Sequence, residues 1–152
     1  MDEYVTIGGR KFRKGYTTGT CAAAATKAAL AMLVSGTSMA RIQVDTPAGV
    51  TLTLPVSDIL RGDGFCECAV VKDGGDDPDV TTGLKIFSRV TLTDDGLIEV
   101  SAGEGIGQVT LPGLSVAVGR PAINPVPMQM IREAAAQVLP TAKGAVITLR
   151  IP

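Results

Sequence analysis

Between Cys21 and Val34 the chain is a run of Ala, Leu, Met and Val broken only by Thr26 and Lys27. Ala is the strongest helix former, because it loses no side-chain entropy on ordering. Thr20 is a competent N-cap, and Ser35-Gly36 supplies a stop, since Gly adopts the left-handed conformation that closes helices. The run therefore predicts a helix over about Thr20 to Val34. Such a helix is apolar nearly all round, so it belongs inside a fold rather than half-exposed on its surface. Its short Ala side chains let a sheet approach closely.

What surrounds that helix is mostly strand. Tyr4–Ile7 and Arg10–Arg13 flank Gly8-Gly9 and predict a hairpin. Arg41–Asp45 and Val50–Leu54 are joined by the turn signal Thr46-Pro47-Ala48-Gly49. Phe65–Lys72, Leu84–Thr93 and Leu97–Ser101 follow as β-rich segments, and short strands are expected in the Gly-rich stretch up to Gly119. Asn124-Pro125-Val126-Pro127 opens a second helix, with Met128, Ile131, Ala135 and Val138 at helical spacing and Pro140 at its end. Gly144–Ile151 closes as a strand. Strands outnumber helices without regular βαβ alternation, so we expect one α+β domain over residues 1–152, a mixed sheet with a buried Ala-rich helix and a second amphipathic helix.

Charge and cysteine usage narrow the function classes. Lys plus Arg number 14 and Asp plus Glu 15, a balance with no general pull toward nucleic acid or acidic membranes. Neither nucleic acid nor membrane is expected as a partner. No apolar run is expected to reach membrane-spanning length, and Met1-Asp2-Glu3-Tyr4 does not open a signal peptide. Arg10, Lys11, Arg13 and Lys14 form a local basic cluster suited to a small polyanion. Cys21, Cys66 and Cys68 make a poor disulfide framework, which predicts a reducing, cytoplasmic setting. With no His, the chain has no Ser-His or Cys-His catalytic pair and too few ligands for a zinc site. We expect no metal site in the protein itself, and the cysteines as small buried hydrophobes.

Four segments could carry chemistry. Gly15-Tyr16-Thr17-Thr18-Gly19-Thr20-Cys21 leads into the predicted helix, whose first N–H groups and partial positive charge suit a phosphate or carboxylate. Simple capping is the competing account. Lys72-Asp73-Gly74-Gly75-Asp76-Asp77-Pro78-Asp79 concentrates carboxylates that could raise one another's pKa into the range of a base, or serve only as turn residues. Gly103-Glu104-Gly105-Ile106-Gly107 precedes a strand-like rather than helical stretch, which argues against a dinucleotide fingerprint. It fits a turn that lets backbone approach a ligand or another strand. In Gly119–Pro127, Asn124 is a candidate N-cap with Pro125 at the first helical position.

These segments, in this order, resemble the N-terminal part of the cobalt-precorrin-5B C1-methyltransferase (CbiD) family. The similarity lies in Gly-Tyr-Thr-Thr-Gly-Thr-Cys-Ala-Ala-Ala-Ala from Gly15, Val-Val-Lys-Asp-Gly-Gly-Asp-Asp-Pro-Asp-Val-Thr from Val70, Gly-Glu-Gly-Ile-Gly-Gln-Val-Thr from Gly103 and Pro-Ala-Ile-Asn-Pro-Val-Pro from Pro121. It runs from about Arg13 onward. The resemblance implies methyl transfer from S-adenosylmethionine to C1 of a corrinoid that carries cobalt, giving cobalt-precorrin-6A. It further implies Asp73, Asp76 and Asp77 as catalytic carboxylates. Arg13, Lys14, Tyr16, Thr17, Thr18, Gly19, Thr20, Lys72 and Asn124 become the substrate side, and Gly103, Glu104 and Gly105 the cofactor side. Family members continue into a second domain, so this chain is expected to act with that domain or as a homo-oligomer. Thr82 stands where the family often has His. The fold expected by analogy is that of the second domain of ribosomal protein S5. Two other functions stay open at this point: a non-catalytic corrinoid-binding module, and a small-molecule kinase-like domain.

Overall fold

A computed structural model describes residues 4–7, 10–13, 18–46, 49–72, 83–105 and 125–152. Strands β1 (Tyr4–Ile7) and β2 (Arg10–Arg13) form the expected antiparallel hairpin. The Ala-rich run forms α1 (Thr18–Ser35), which begins two residues before the predicted start. Thr20 therefore lies inside the first turn rather than at the cap. Gly36, at φ 74°, ends the helix and donates its N–H to the Met32 carbonyl at 2.9 Å. At eighteen residues α1 is, contrary to expectation, long and apolar enough to cross a membrane by length and composition. Two-thirds of it is buried within the fold, as a core helix would be.

Strands β3 (Arg41–Asp45) and β4 (Thr51–Pro55) form a second antiparallel hairpin, with Ile42, Val44 and Leu54 turned into the core. The main sheet has five strands: β5 (Ser57–Gly62), β6 (Phe65–Val71), β7 (Lys85–Thr93), β8 (Ile98–Ala102) and β9 (Gly144–Arg150). Their spatial order is β5-β6-β7-β9-β8, antiparallel throughout except for the parallel pair β8 and β9. Helix α2 (Pro125–Val138) lies between those two strands in sequence. A parallel pair cannot be joined by a tight turn, so a crossover of this kind is required. The sheet is mixed and the fold α+β, as the sequence predicts.

Helix α1 packs on β6 and β7, beside β3, and against α2. Cys66, Cys68, Val70, Ile86, Val90, Ile147 and Leu149 form the sheet's contribution to this core, and Ile131, Ala134 and Ala135 that of α2. The Cys68 thiol donates to the Ala25 carbonyl at 3.2 Å, a close approach that a helix of larger residues would not allow. One polar pair is sealed inside: the hydroxyls of Thr26 and Ser88 share a hydrogen bond of 2.8 Å. Each satisfies the other, which removes the penalty of burying either alone. All three cysteines are buried and none is joined in a disulfide. Burial pushes the Cys66 thiol up; burial and the neighbouring Cys66 push Cys68 up to about 12.

Candidate functional site

The topology gathers the described parts of the four sequence motifs, residues 18–21, Lys72, residues 103–105 and residues 125–127, at one edge of the main sheet. Strand β6 ends there at Val71, opposite Lys85, the first residue of β7. Lys72 follows, donating its N–H to the Leu84 carbonyl and accepting from Gly83 N–H, both at 2.8 Å. Antiparallel pairing of β7 with β9 brings Arg150 opposite Phe87, so β9 also ends at this edge. Parallel pairing then puts the end of β8, with Gly103, Glu104 and Gly105, beside Leu149 and Ile151.

Both helices start at the same edge. Cys21, in the first turn of α1, lies with its sulfur 4.0 Å from the Val71 carbonyl. Gly19 is buried against the start of α2: a Cβ placed on it would stand 2.9 Å from Pro127 Cβ. Only glycine lets the two N-terminal turns come this close. Thr18 is exposed and Thr20 buried. Two helix N-termini side by side put two partial positive charges at the carboxyl ends of β6, β8 and β9, with first-turn N–H groups coming mainly from α1, since Pro125 and Pro127 have none to offer.

The Gly103–Gly105 turn has a structural explanation of its own. Gly103 donates to the Leu149 carbonyl at 2.7 Å, and a Cβ there would lie 2.8 Å from the same oxygen. Gly105 has φ 76°, and a Cβ on it would collide with the Ile151 carbonyl. Of the two partners weighed for this turn, the other strand is the one in contact. Glu104 is exposed, and its carbonyl accepts from Ile151 N–H at 2.7 Å. Arg13 closes β2 opposite Tyr4. Lys14, Tyr16, Thr17, Asp73, Asp76, Asp77 and Asn124 lie outside the described residues. Pro125 is the first residue of α2, as expected.

Sequence reasoning missed a cluster on the face of the sheet opposite α1. Glu67 is almost wholly buried there, accepting from Arg89 Nε at 2.8 Å and from Arg150 Nη2 at 2.6 Å. Arg89 lies over the Phe65 ring and Arg150 over the Phe87 ring, 4.5 and 4.0 Å from the centroids. Burial raises the Glu67 pKa, but the hydrogen bonds from Arg150 and Arg89 outweigh it and hold the carboxyl below the usual range. Beside the cluster, Lys85 pairs with Asp58 at 2.9 Å. The alternation Phe65-Cys-Glu-Cys-Ala marks Glu67 as facing away from the helix. Nothing local announces partners 22 and 83 residues further on.

Comparison with known proteins bears on what this edge serves. The CbiD family model matches residues 6–152. The chain belongs to the CbiD family. Over all 152 residues it is 51% identical to a cobalt-precorrin-5B C(1)-methyltransferase of Thermoanaerobacter sp., covering 42% of that protein. It is 47% identical to one of Alkaliphilus metalliredigens, covering 40% of it. Another, of Picrophilus torridus, is 50% identical over 127 residues, 84% of this chain and 37% of the relative. The chain thus spans about two-fifths of the length of these relatives. No solved structure matches it.

Proposed function

We propose that this chain is the corrinoid-holding part of an S-adenosylmethionine-dependent methyltransferase that acts at C1 of cobalt-precorrin-5B. The observation that carries this reading is the meeting of two helix N-termini at the sheet edge where the described parts of the motifs lie. A ring-contracted corrinoid bears several acetate and propionate carboxylates, and a pair of helix N-termini suits carboxylates. In this reading Thr18, Gly19, Thr20 and Lys72 serve the substrate side, joined by Arg13, Lys14, Tyr16, Thr17 and Asn124. Cobalt travels with the substrate.

S-adenosylmethionine supplies a methyl group already activated as a sulfonium. The protein's part is then to align that methyl with C1 and exclude water, and positioning alone is worth up to about 7–11 kcal/mol. Asp73, Asp76 and Asp77 are the carboxylates assigned to steady the sulfonium or accept a proton. Gly103, Glu104 and Gly105 form the donor side; with both glycines packed against β9, Glu104 is the member whose exposed side chain is available to the donor. We place the reaction in the cytoplasm, consistent with three buried cysteines that remain thiols. Because the relatives are more than twice as long, a second part of the enzyme completes the activity.

Calorimetric titration of the 152-residue chain with S-adenosylmethionine, and separately with the carboxylate-bearing corrinoid cobyrinic acid, tests the proposal. Saturable micromolar binding of both is the expected result and puts donor and acceptor on this chain. Binding of the corrinoid alone makes this a substrate-holding module and moves the donor to the rest of the enzyme. A folded sample that binds neither, or that binds ATP instead, overturns the reading.

A further inference from the structure

On the face of the main sheet turned away from α1, the described residues carry more hydrogen-bonding capacity than they use among themselves. Glu67 takes one N–H from each of Arg89 and Arg150. No other described residue accepts from the remaining guanidinium N–H groups. Nor are the guanidiniums free to wander: each is pinned by the shared carboxylate and stacked on a ring, Phe65 under Arg89 and Phe87 under Arg150. Their side chains stay 47% and 35% exposed, whereas Glu67 beneath them is 5% exposed. Two arginines against one glutamate leave the cluster with a surplus positive charge directed at solvent, and the adjacent Lys85–Asp58 pair adds no net charge.

The position of the cluster matters as much as its charge. Arg150 is the last residue of β9, next to Ile151, whose N–H bonds the Glu104 carbonyl in the third motif. The face therefore runs directly into the edge where the two helix N-termini lie. A fixed planar fork with spare N–H groups is the arrangement that recognises a carboxylate in two-point fashion, which a mobile lysine cannot do. Aromatic stacking fixes the fork in advance, so little ordering is left to oppose binding.

We infer that Arg89 and Arg150, positioned by Glu67, form a carboxylate-docking site that receives side-chain carboxylates of the corrinoid lying across the sheet edge. This rests on the corrinoid reading above and adds a second set of contacts, from the opposite side of the sheet to the helix N-termini. Glu67 acts through the arginines and is a positioning residue.

Removing the arginines alone would strand a buried carboxylate, so the informative variant is Glu67→Gln/Arg89→Gln/Arg150→Gln, which leaves no buried charge. Its affinity for cobyrinic acid is measured calorimetrically beside that of the wild-type chain. Cobinamide, the same ring with amidated side chains, provides a second arm, and thermal unfolding confirms that both proteins are folded. The expected result is at least a tenfold loss for cobyrinic acid, about 1.4 kcal/mol, with cobinamide binding unchanged between the two proteins. Equal cobyrinic acid affinity in wild type and variant overturns the docking site while leaving the corrinoid reading intact. An equal loss for cobinamide shows that the variant disturbs the ring site rather than a carboxylate contact, and also overturns it. Failure of the wild-type chain to bind cobyrinic acid removes the corrinoid reading and the docking site together.

Discussion

Glu67 shows how far the role of one residue depends on its neighbours. On β6 alone it is the polar member of an alternating strand; in the sheet it is a buried anion shared by two cations. Because its folded pKa is lowered, its contribution to stability is full above the unfolded value, about 4.3. That contribution is lost as the pH falls through the lower folded value. Wild type should therefore hold an advantage over Glu67→Gln at pH 6 that shrinks steadily below about pH 4.3. Urea unfolding of both proteins between pH 6 and pH 3 checks this; a constant difference would mean that the ion pairs contribute nothing that depends on the Glu67 charge. The cysteines behave oppositely. Cys68, pushed up to about 12 and fully buried, stays a thiol at any physiological pH. Cys21 and Cys66 are equally buried. A colorimetric disulfide reagent should find no reactive thiol in the native chain at pH 8 and three after denaturation. Rapid modification of the native protein would contradict the burial described.

At the scale of elements, the contact between the helix N-termini is the most sensitive point. Gly19→Ala puts a methyl 2.9 Å from Pro127 Cβ, where neither ring nor helix backbone can yield cheaply. We expect a loss of about 1–3 kcal/mol, the usual cost of overpacking, seen as a lower denaturant midpoint. Gly105→Ala should cost at least as much, since it adds a left-handed φ to a clash with backbone. Ala at Gly36, also left-handed but with open space around it, separates the conformational cost from the steric one. How much of this was legible in the sequence differs by element. Helix α1 was legible because Ala, a Thr-rich entry and a Gly stop agree with one another. Helix α2 was legible from Met128, Ile131, Ala135 and Val138. Strand β5 was not: Ser57–Gly62 is an edge strand exposed along nearly its whole length, with an irregular register and Asp58 at φ 52°. Without a buried face it shows no alternation. The function of Gly103 and Gly105 was half legible. The sequence demanded a close backbone approach, but only the parallel pairing of β8 with β9 names the partner.

For the whole molecule, the arrangement around α1 decides how the chain unfolds. The β3–β4 hairpin, the five-stranded sheet and α2 all pack on that one helix, and their buried residues form a single connected cluster. The candidate site depends on the same helix, since its first turn meets both α2 and the end of β6 there. Sequence order alone could not show this, because the sheet's spatial order departs from its chain order at β9. Leu30 lies fully buried in that cluster. Truncating it should remove about 2–5 kcal/mol through lost burial and the cavity left behind. That is a large share of the roughly 5–15 kcal/mol that stabilises a typical domain. The expected outcome for Leu30→Ala is one transition at lower denaturant, coincident by far-UV circular dichroism and by hydrogen exchange at Ile42 in β3, Val90 in β7 and Ile131 in α2. Separate loss of protection at Ile42, with Val90 unaffected, would show that the β3–β4 hairpin is held by contacts of its own. The candidate site would then rest on the main sheet and the helices alone.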